Sequence, residues 1–211
     1  MSNGIQQLLD KEKYHKIQAG LKMYRIDSFI REIDAKEGKN KGGVLSFVRG
    51  LRLSALLIYA IRDLLEGSNL TANWGHIIDE DGQLCSRECD IIIHDTNVPI
   101  YRWNGDGGNN HVMDFRFIPY SGAKVVVSCK SYLVTNEIEV DYCIDLKKFV
   151  DRVWLFAECC GPRSDESIEE AAKKIGYENF WYLYKWSKGK NDVEETPEVW
   201  LDFVEVVKAL R

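Results

Sequence analysis

Leu84-Cys85-Ser86-Arg87-Glu88-Cys89-Asp90-Ile91-Ile92-Ile93-His94-Asp95 and Lys124-Val125-Val126-Val127-Ser128-Cys129-Lys130-Ser131-Tyr132-Leu133 are the two stretches on which the fold turns. Each carries a short, unbroken run of β-branched residues, the pattern of a strand buried on both faces. Ahead of the first stretch, Asp79-Glu80-Asp81-Gly82-Gln83 reads as a hairpin turn, with Asp-Gly supplying the positive backbone dihedrals. Asn73–Ile78 is then the outgoing strand, Leu84–His94 the returning one and Lys124–Leu133 the third. Thr96–Tyr120, with its Gly- and Asn-rich centre, is expected to be irregular.

Upstream, Ile17, Leu21, Tyr24, Phe29, Ile30 and Ile33 recur at three- and four-residue spacing, so residues 5–36 read as helix. Lys36–Gly43 is a polar glycine-rich loop, and Leu45–Leu65 a helix stopped by Gly67. Downstream, the pattern predicts a helix over Asn136–Val150, a strand over Val153–Ala157, a helix over Asp165–Ile175 capped by Ser164, and a strand over Phe180–Trp186. A last helix opens at Thr196-Pro197, with Pro in its first turn. A hairpin followed by crossover helices implies an α/β fold with a mixed central β-sheet flanked by helices. The expected organisation is an N-terminal helical extension (1–44), an α/β core (45–190) and a C-terminal helix packed on it (191–211).

With 45% apolar and 29% charged residues, the 211-residue chain is neither disordered nor fibrous. Its longest apolar run, Leu53–Ile61, contains Ser54 and is too short to span a bilayer. No basic-then-apolar leader opens the sequence, so a cytoplasmic protein with reduced thiols is expected. The C-x3-C spacing of Cys85 and Cys89 has no second ligand pair beside it, which favours buried structural thiols over zinc. The net charge of −5 is uneven: residues 1–52 hold eleven Lys/Arg against six Asp/Glu, while the remainder is acidic. That excludes a strongly basic DNA-wrapping protein and leaves the N-terminal part able to touch phosphates.

Side chains alternate along a strand, so Ser86, Glu88 and Asp90 share one face, as do Ser128 and Lys130. If the faces coincide, two carboxylates, a hydroxyl and an ammonium meet at the strand ends. Hard divalent ions take oxygen ligands, activate water and offset charge on a phosphoryl group. Asp90 is the expected central ligand of Mg2+ or Mn2+, the carbonyl of Cys129 a second, and Lys130 the cation that orients water or steadies the transition state. The aromatic run Phe180–Trp186 is expected to be a packed central strand, Trp103 a loop anchor, and His76, His94 and His111 structural or exposed.

The order of these motifs resembles the PD-(D/E)xK nuclease superfamily: a hairpin with an Asp, a strand ending in (D/E)-x-Lys, then a helix. Ser86–Asp95, Ile118-Pro119 and Val125–Ser131 are especially similar to the DUF6602-like group of bacterial proteins, over roughly residues 45–186. The resemblance implies a restriction-endonuclease-like fold, a metal-dependent phosphodiesterase acting on DNA, and a role in restriction or antiviral defence. Two positions depart from the pattern. Cys89 replaces the proline before the aspartate, and Ser128 stands where the superfamily has a carboxylate. One branch of restriction enzymes is similar, with S-x-K and an acidic residue moved to the following helix. Asp141 and Asp145, one turn apart in the predicted helix, bracket that displaced position; Glu88 and Glu80 are further substitutes. The competing expectation is a catalytically inactive nuclease fold kept as a nucleic-acid or protein binding module. A third expectation is a sensor or effector subunit that meets another protein through the N-terminal helices, with Leu8, Leu9 and Leu21 as a contact face, while a homodimer suits the nuclease reading.

Overall fold

The chain is represented by a computed structural model that describes residues 43–102, 115–133, 138–161, 165–187 and 192–211. The helical extension expected over 1–44, apart from its last two residues, lies outside the described residues, as do Trp103 and His111. Helix α1 (Gly43–Leu64) leads into β1 (Leu70–Ile78), β2 (Cys89–Asp95), β3 (Tyr101–Arg102), β4 (Phe115–Pro119) and β5 (Ala123–Leu133). Then come α2 (Val140–Leu146), β6 (Arg152–Cys160), α3 (Asp165–Ile175), β7 (Asn179–Ser187), β8 (Asp192–Glu195) and α4 (Pro197–Lys208).

The strands form one eight-stranded mixed sheet in the order β3-β4-β1-β2-β5-β6-β7-β8. β2 sits between β1 and β5 and is antiparallel to both, whereas β5, β6 and β7 run parallel. The parallel pairs need crossovers, and α2 and α3 supply them on one face of the sheet. α1 and α4 cover the other face.

Alternation along the strands sorts the core into two layers. Ile91, Ile93, Val125, Val127, Trp154 and Phe156 pack with Leu57, Ile58 and Ile61 of α1 and with Trp200, Phe203 and Val207 of α4. Ile92, Val126, Val153 and Leu155 point the other way, onto Tyr142 and Leu146 of α2 and Ile168 and Ala172 of α3. The uninterrupted Ile and Val runs exist because both faces of β2 and β5 are buried. The aromatic run of β7 is used the same way: Trp181, Leu183 and Tyr184 are buried, and Trp181 stacks edge-on with Trp154 and Phe203.

Three local departures from the sequence reading have physical causes. The returning strand starts at Cys89 rather than Leu84; the preceding residues meet β1 through an isolated Ile78–Leu84 bridge and irregular bonds from Cys85 and Ser86 to Ile77 instead of a regular ladder. The helix after β5 is shorter than expected, running from Val140 to Leu146. The stretch expected to be irregular contains β3 and β4, and β4 pairs in parallel with β1, from Trp74↔Phe115 to Ile78↔Pro119. Its Pro119 is tolerated because it closes the strand.

The β1–β4 pairing depends on Gly75, where the β1 register shifts by a bulge. A Cβ built there lies 1.8 Å from the Arg116 carbonyl oxygen, so only glycine lets β4 approach. Gly75→Ala is expected to cost about 2–4 kcal/mol, read as a lowered urea midpoint against wild type.

Candidate functional site

β2 and β5 pair from His94↔Ala123 to Ile91↔Val127, and there the regular ladder stops. Beyond it the Asp90 carboxylate takes over: Oδ2 accepts the backbone N–H of Cys129 at 2.8 Å. β5 runs on to Leu133 against β6 alone. The strands separate, and Asp90 lies at the split, opposite Ser128 in the extrapolated register.

Lys130, two residues further along β5, is ion-paired with Glu139, the residue that caps the N-terminus of α2. Burial pushes the Asp90 carboxyl up to about 6, against the pull of the Cys129 N–H and Lys130; Glu88 and Glu139 raise it further. Three carboxylates and one ammonium thus act on one another around the strand split. No cluster of three or more His, Cys, Asp and Glu side chains with metal-holding geometry occurs among the described residues.

Tyrosines fix the backbone of both flanking glutamates. Tyr142 of α2 donates to the Glu88 carbonyl at 3.3 Å, and Tyr177, between α3 and β7, donates to the Glu139 carbonyl at 3.1 Å. Ser128 is only 1% exposed and lies beside the Tyr177 phenol, where it eases that group's burial-driven upward shift. The serine therefore backs the phenol that holds the Glu139 backbone. The Glu88 carboxylate accepts the Trp74 indole N–H at 2.7 Å, which aims it along the surface of β1.

Of the residues singled out from sequence, Asp90, Cys129, Lys130 and Ser128 come together, with Glu88 at the rim. Asp141 and Asp145 are exposed on α2, and Asp145 is paired with Lys148 at 2.7 Å, which with Arg87 holds its carboxyl low. Glu80 lies at the hairpin turn, accepting from Tyr120 at 3.3 Å. Ser86 precedes β2, so strand alternation does not reach it; its hydroxyl accepts the Ile77 N–H at 2.9 Å. Glu139 escaped the sequence reading. Its only signal was position: a carboxylate shortly after Lys130, at the start of the next helix.

The donor set suits a hard cation. Every group is an oxygen, Asp90 is a carboxylate held above its usual range, and magnesium commonly binds through one or two carboxylates with water and substrate phosphate completing the shell. Asp90, the Cys129 carbonyl and Glu139 would hold it.

No known protein family and no curated protein matches the chain by sequence. Solved structures share its fold. NucC of E. coli MS115-1 in its cAAA-bound form superposes with a TM-score of 0.57 at 10% identity, over 96% of this chain and 89% of that one. Its apo form gives 0.56 at 10% identity over 97% and 90%. NucC of P. aeruginosa ATCC27853, cAAA-bound, gives 0.56 at 10% over 96% and 90%. At that identity the likeness is one of fold, and it makes the fold restriction-endonuclease-like.

Asp90 keeps its proton to about pH 6 in the folded protein, against an ordinary 3.8. Folding therefore takes up a proton between those values, and stability falls as pH rises from about 4 to about 6, remaining lowered above. Asp90→Asn, which keeps an acceptor for Cys129, is expected to be more stable than wild type at pH 8, by up to about 3 kcal/mol. The gain should vanish near pH 4, as thermal melts across that range will read.

Proposed function

We propose that the chain is a divalent-metal-dependent phosphodiesterase that cuts DNA, in a cytoplasmic defence role against phage. The observation that carries this reading is Asp90 at the strand split, with a raised carboxyl beside Lys130 and Glu139. A carboxylate perturbed by burial and placed beside a lysine and a further carboxylate is a candidate site of chemistry. The PD-(D/E)xK resemblance and the shared fold of NucC support it. So do the six free cysteines, which suit a reducing compartment.

In this reading Mg2+ or Mn2+, when bound, supplies Lewis acidity to the phosphate and a more acidic water. Asp90 and the Cys129 carbonyl would hold that ion from the strand side of the split. Glu139 takes the anionic role that Ser128 leaves vacant, moved from the strand to the head of the helix. Lys130 then exchanges its ion pair with Glu139 for the developing charge on the phosphate. Ser128 is a buried neighbour of Tyr177, whose phenol holds the Glu139 backbone. Glu88 stands ready at the rim as a further carboxylate. The basic residues of 1–52 offer phosphate contacts, and a homodimer would bring two such sites to the two strands of a duplex.

A second reading, an inactive nuclease fold serving as a binding module, is favoured by one observation: Lys130 is already paired with Glu139.

Plasmid cleavage with Mg2+ or Mn2+, against EDTA, separates the two. Wild type should nick or linearise the plasmid, and Asp90→Asn, Lys130→Met and Glu139→Gln should each lose at least about a hundredfold in rate. Asp141→Asn and Asp145→Asn should cut at nearly the wild-type rate. An uncut plasmid, with no heat of metal binding by calorimetry, would establish the binding module instead.

A further inference from the structure

The residues just ahead of β2 are pinned on both sides of one arginine. Cys85 and Ser86 donate their backbone N–H groups to the Ile77 carbonyl at 2.9 and 3.3 Å, and the Ser86 hydroxyl accepts the Ile77 N–H at 2.9 Å. On the other side the Glu88 carbonyl accepts the Tyr142 phenol at 3.3 Å. Arg87, between them, is exposed, and its guanidinium has no hydrogen bond or ion pair among the described residues. A fixed backbone carrying five open N–H donors is prepared for an anion of forked geometry, a carboxylate or a phosphate.

Arg87 lines a cleft of about 280 Å³ that faces Tyr142 and Asp145 of α2 and Lys148 and Phe149 of the turn behind it. Asp145 and Lys148 are paired at 2.7 Å, and both side chains are more than half exposed. A pair so exposed contributes little, and Lys148 can turn to a stronger anion. Arg87 stands close enough to help hold the Asp145 carboxyl low, after the larger effect of Lys148. The described lining thus sets two cations against one carboxylate. The cleft is smaller than the roughly 300 Å³ at which small-molecule sites begin, and it suits one phosphate group.

Two rulers place the cleft beside the strand split. Arg87 is three residues ahead of Asp90, at most about 10 Å of chain. Along α2, Glu139 at the split and Asp145 in the cleft are six residues apart, about 9 Å of helix. Each strand of duplex DNA advances about 3.4 Å along its axis per phosphate, so a cation at that distance meets a phosphate within about three steps of one held at Asp90. We propose that Arg87, with Lys148 across the cleft, grips a backbone phosphate of the DNA strand that lies over Asp90, a few nucleotides from the phosphate to be cut. The proposal rests on the nuclease reading of the Asp90 site, and it makes the substrate of that site a strand of several phosphates instead of a lone phosphodiester. Arginine and phosphate join there by charge and by forked hydrogen bonds.

The test is fluorescence anisotropy of a labelled DNA duplex with the full chain in Ca2+ across a range of salt, beside plasmid cleavage in Mg2+. Arg87→Gln should bind at least about fivefold more weakly than wild type, with an unchanged circular dichroism spectrum. Its slope of log affinity against log salt should shrink by about 0.9, the share of one phosphate contact. Arg87→Lys should restore the slope and only part of the affinity, since the charge returns and the fork does not. Lys148→Gln should weaken binding in the same sense, and it carries the test should Arg87→Gln fold poorly. Lys124→Gln removes a like charge at the opposite end of β5, about 20 Å from Lys130, and should bind as wild type does. In cleavage, Arg87→Gln should raise KM more than it lowers kcat. A wild type that binds no DNA, undiminished affinity and slope in Arg87→Gln, or an equal loss in Lys124→Gln would overturn the proposal, whether or not the plasmid is cut. DNA bound with the Arg87-dependent slope and left uncut would support the contact and overturn the nuclease reading alone.

Discussion

The hydrogen bond from the Cys129 amide to the Asp90 carboxylate is the contact on which the rest of the arrangement depends. An antiparallel ladder uses backbone carbonyls to satisfy backbone amides. Here a side chain takes over at the first position beyond Ile91↔Val127, and the two central strands part. β5 continues as the partner of β6, and α2 folds back toward the gap from the end of β5. A carboxylate placed in a mouth between strands, half out of water, is held there by one amide and one ammonium, and its ionised form is disfavoured. A cation at the split would relieve that disadvantage.

The neighbouring groups are arranged by backbone tethers. Tyr142 and Tyr177 each hold the carbonyl of a glutamate, leaving the two carboxylates to find partners of their own, Trp74 and Lys130. Buried phenols that donate to carbonyls are satisfied polar groups, so the scaffold around the split costs little to bury. The proposed chemistry rests on this contrast between a satisfied scaffold and a carboxylate whose ionised form is disfavoured.

Much of this was legible in the sequence. The runs Ile91–Ile93 and Val125–Val127 identify central strands because residues buried on both faces leave no polar alternation, and the spacing of Leu53, Leu57 and Ile61 identifies α1. Asp90 and Lys130 were legible for the same reason: each is a charge at the end of a buried run. β4 was not, because Phe115–Pro119 ends in proline, follows a glycine-rich stretch, and pairs with a strand far away in sequence through a glycine contact that no local pattern records. Glu139 was hidden by a boundary. A helix starting at Asn136 puts Asp141 and Asp145 on consecutive turns, whereas one starting at Val140 makes Glu139 its cap and turns those aspartates to solvent. Ser128 read as a lost ligand, yet it is buried beside the Tyr177 phenol, a neighbour that no spacing rule connects to it.

The tether from Tyr177 to Glu139 also sets an order in time. Glu139 follows β5, but the phenol that holds its backbone arrives only after β6 and α3 have been made and crossed over. During synthesis a nascent chain already carries Asp90 and Lys130 while the anchor of the third acidic group is still inside the ribosome. Parallel crossovers close late because their contacts span long stretches of chain. The full set of charged groups is thus assembled only when the protein is nearly complete, and a truncated product, however well its hairpin folds, lacks the piece that sets the last carboxylate in place.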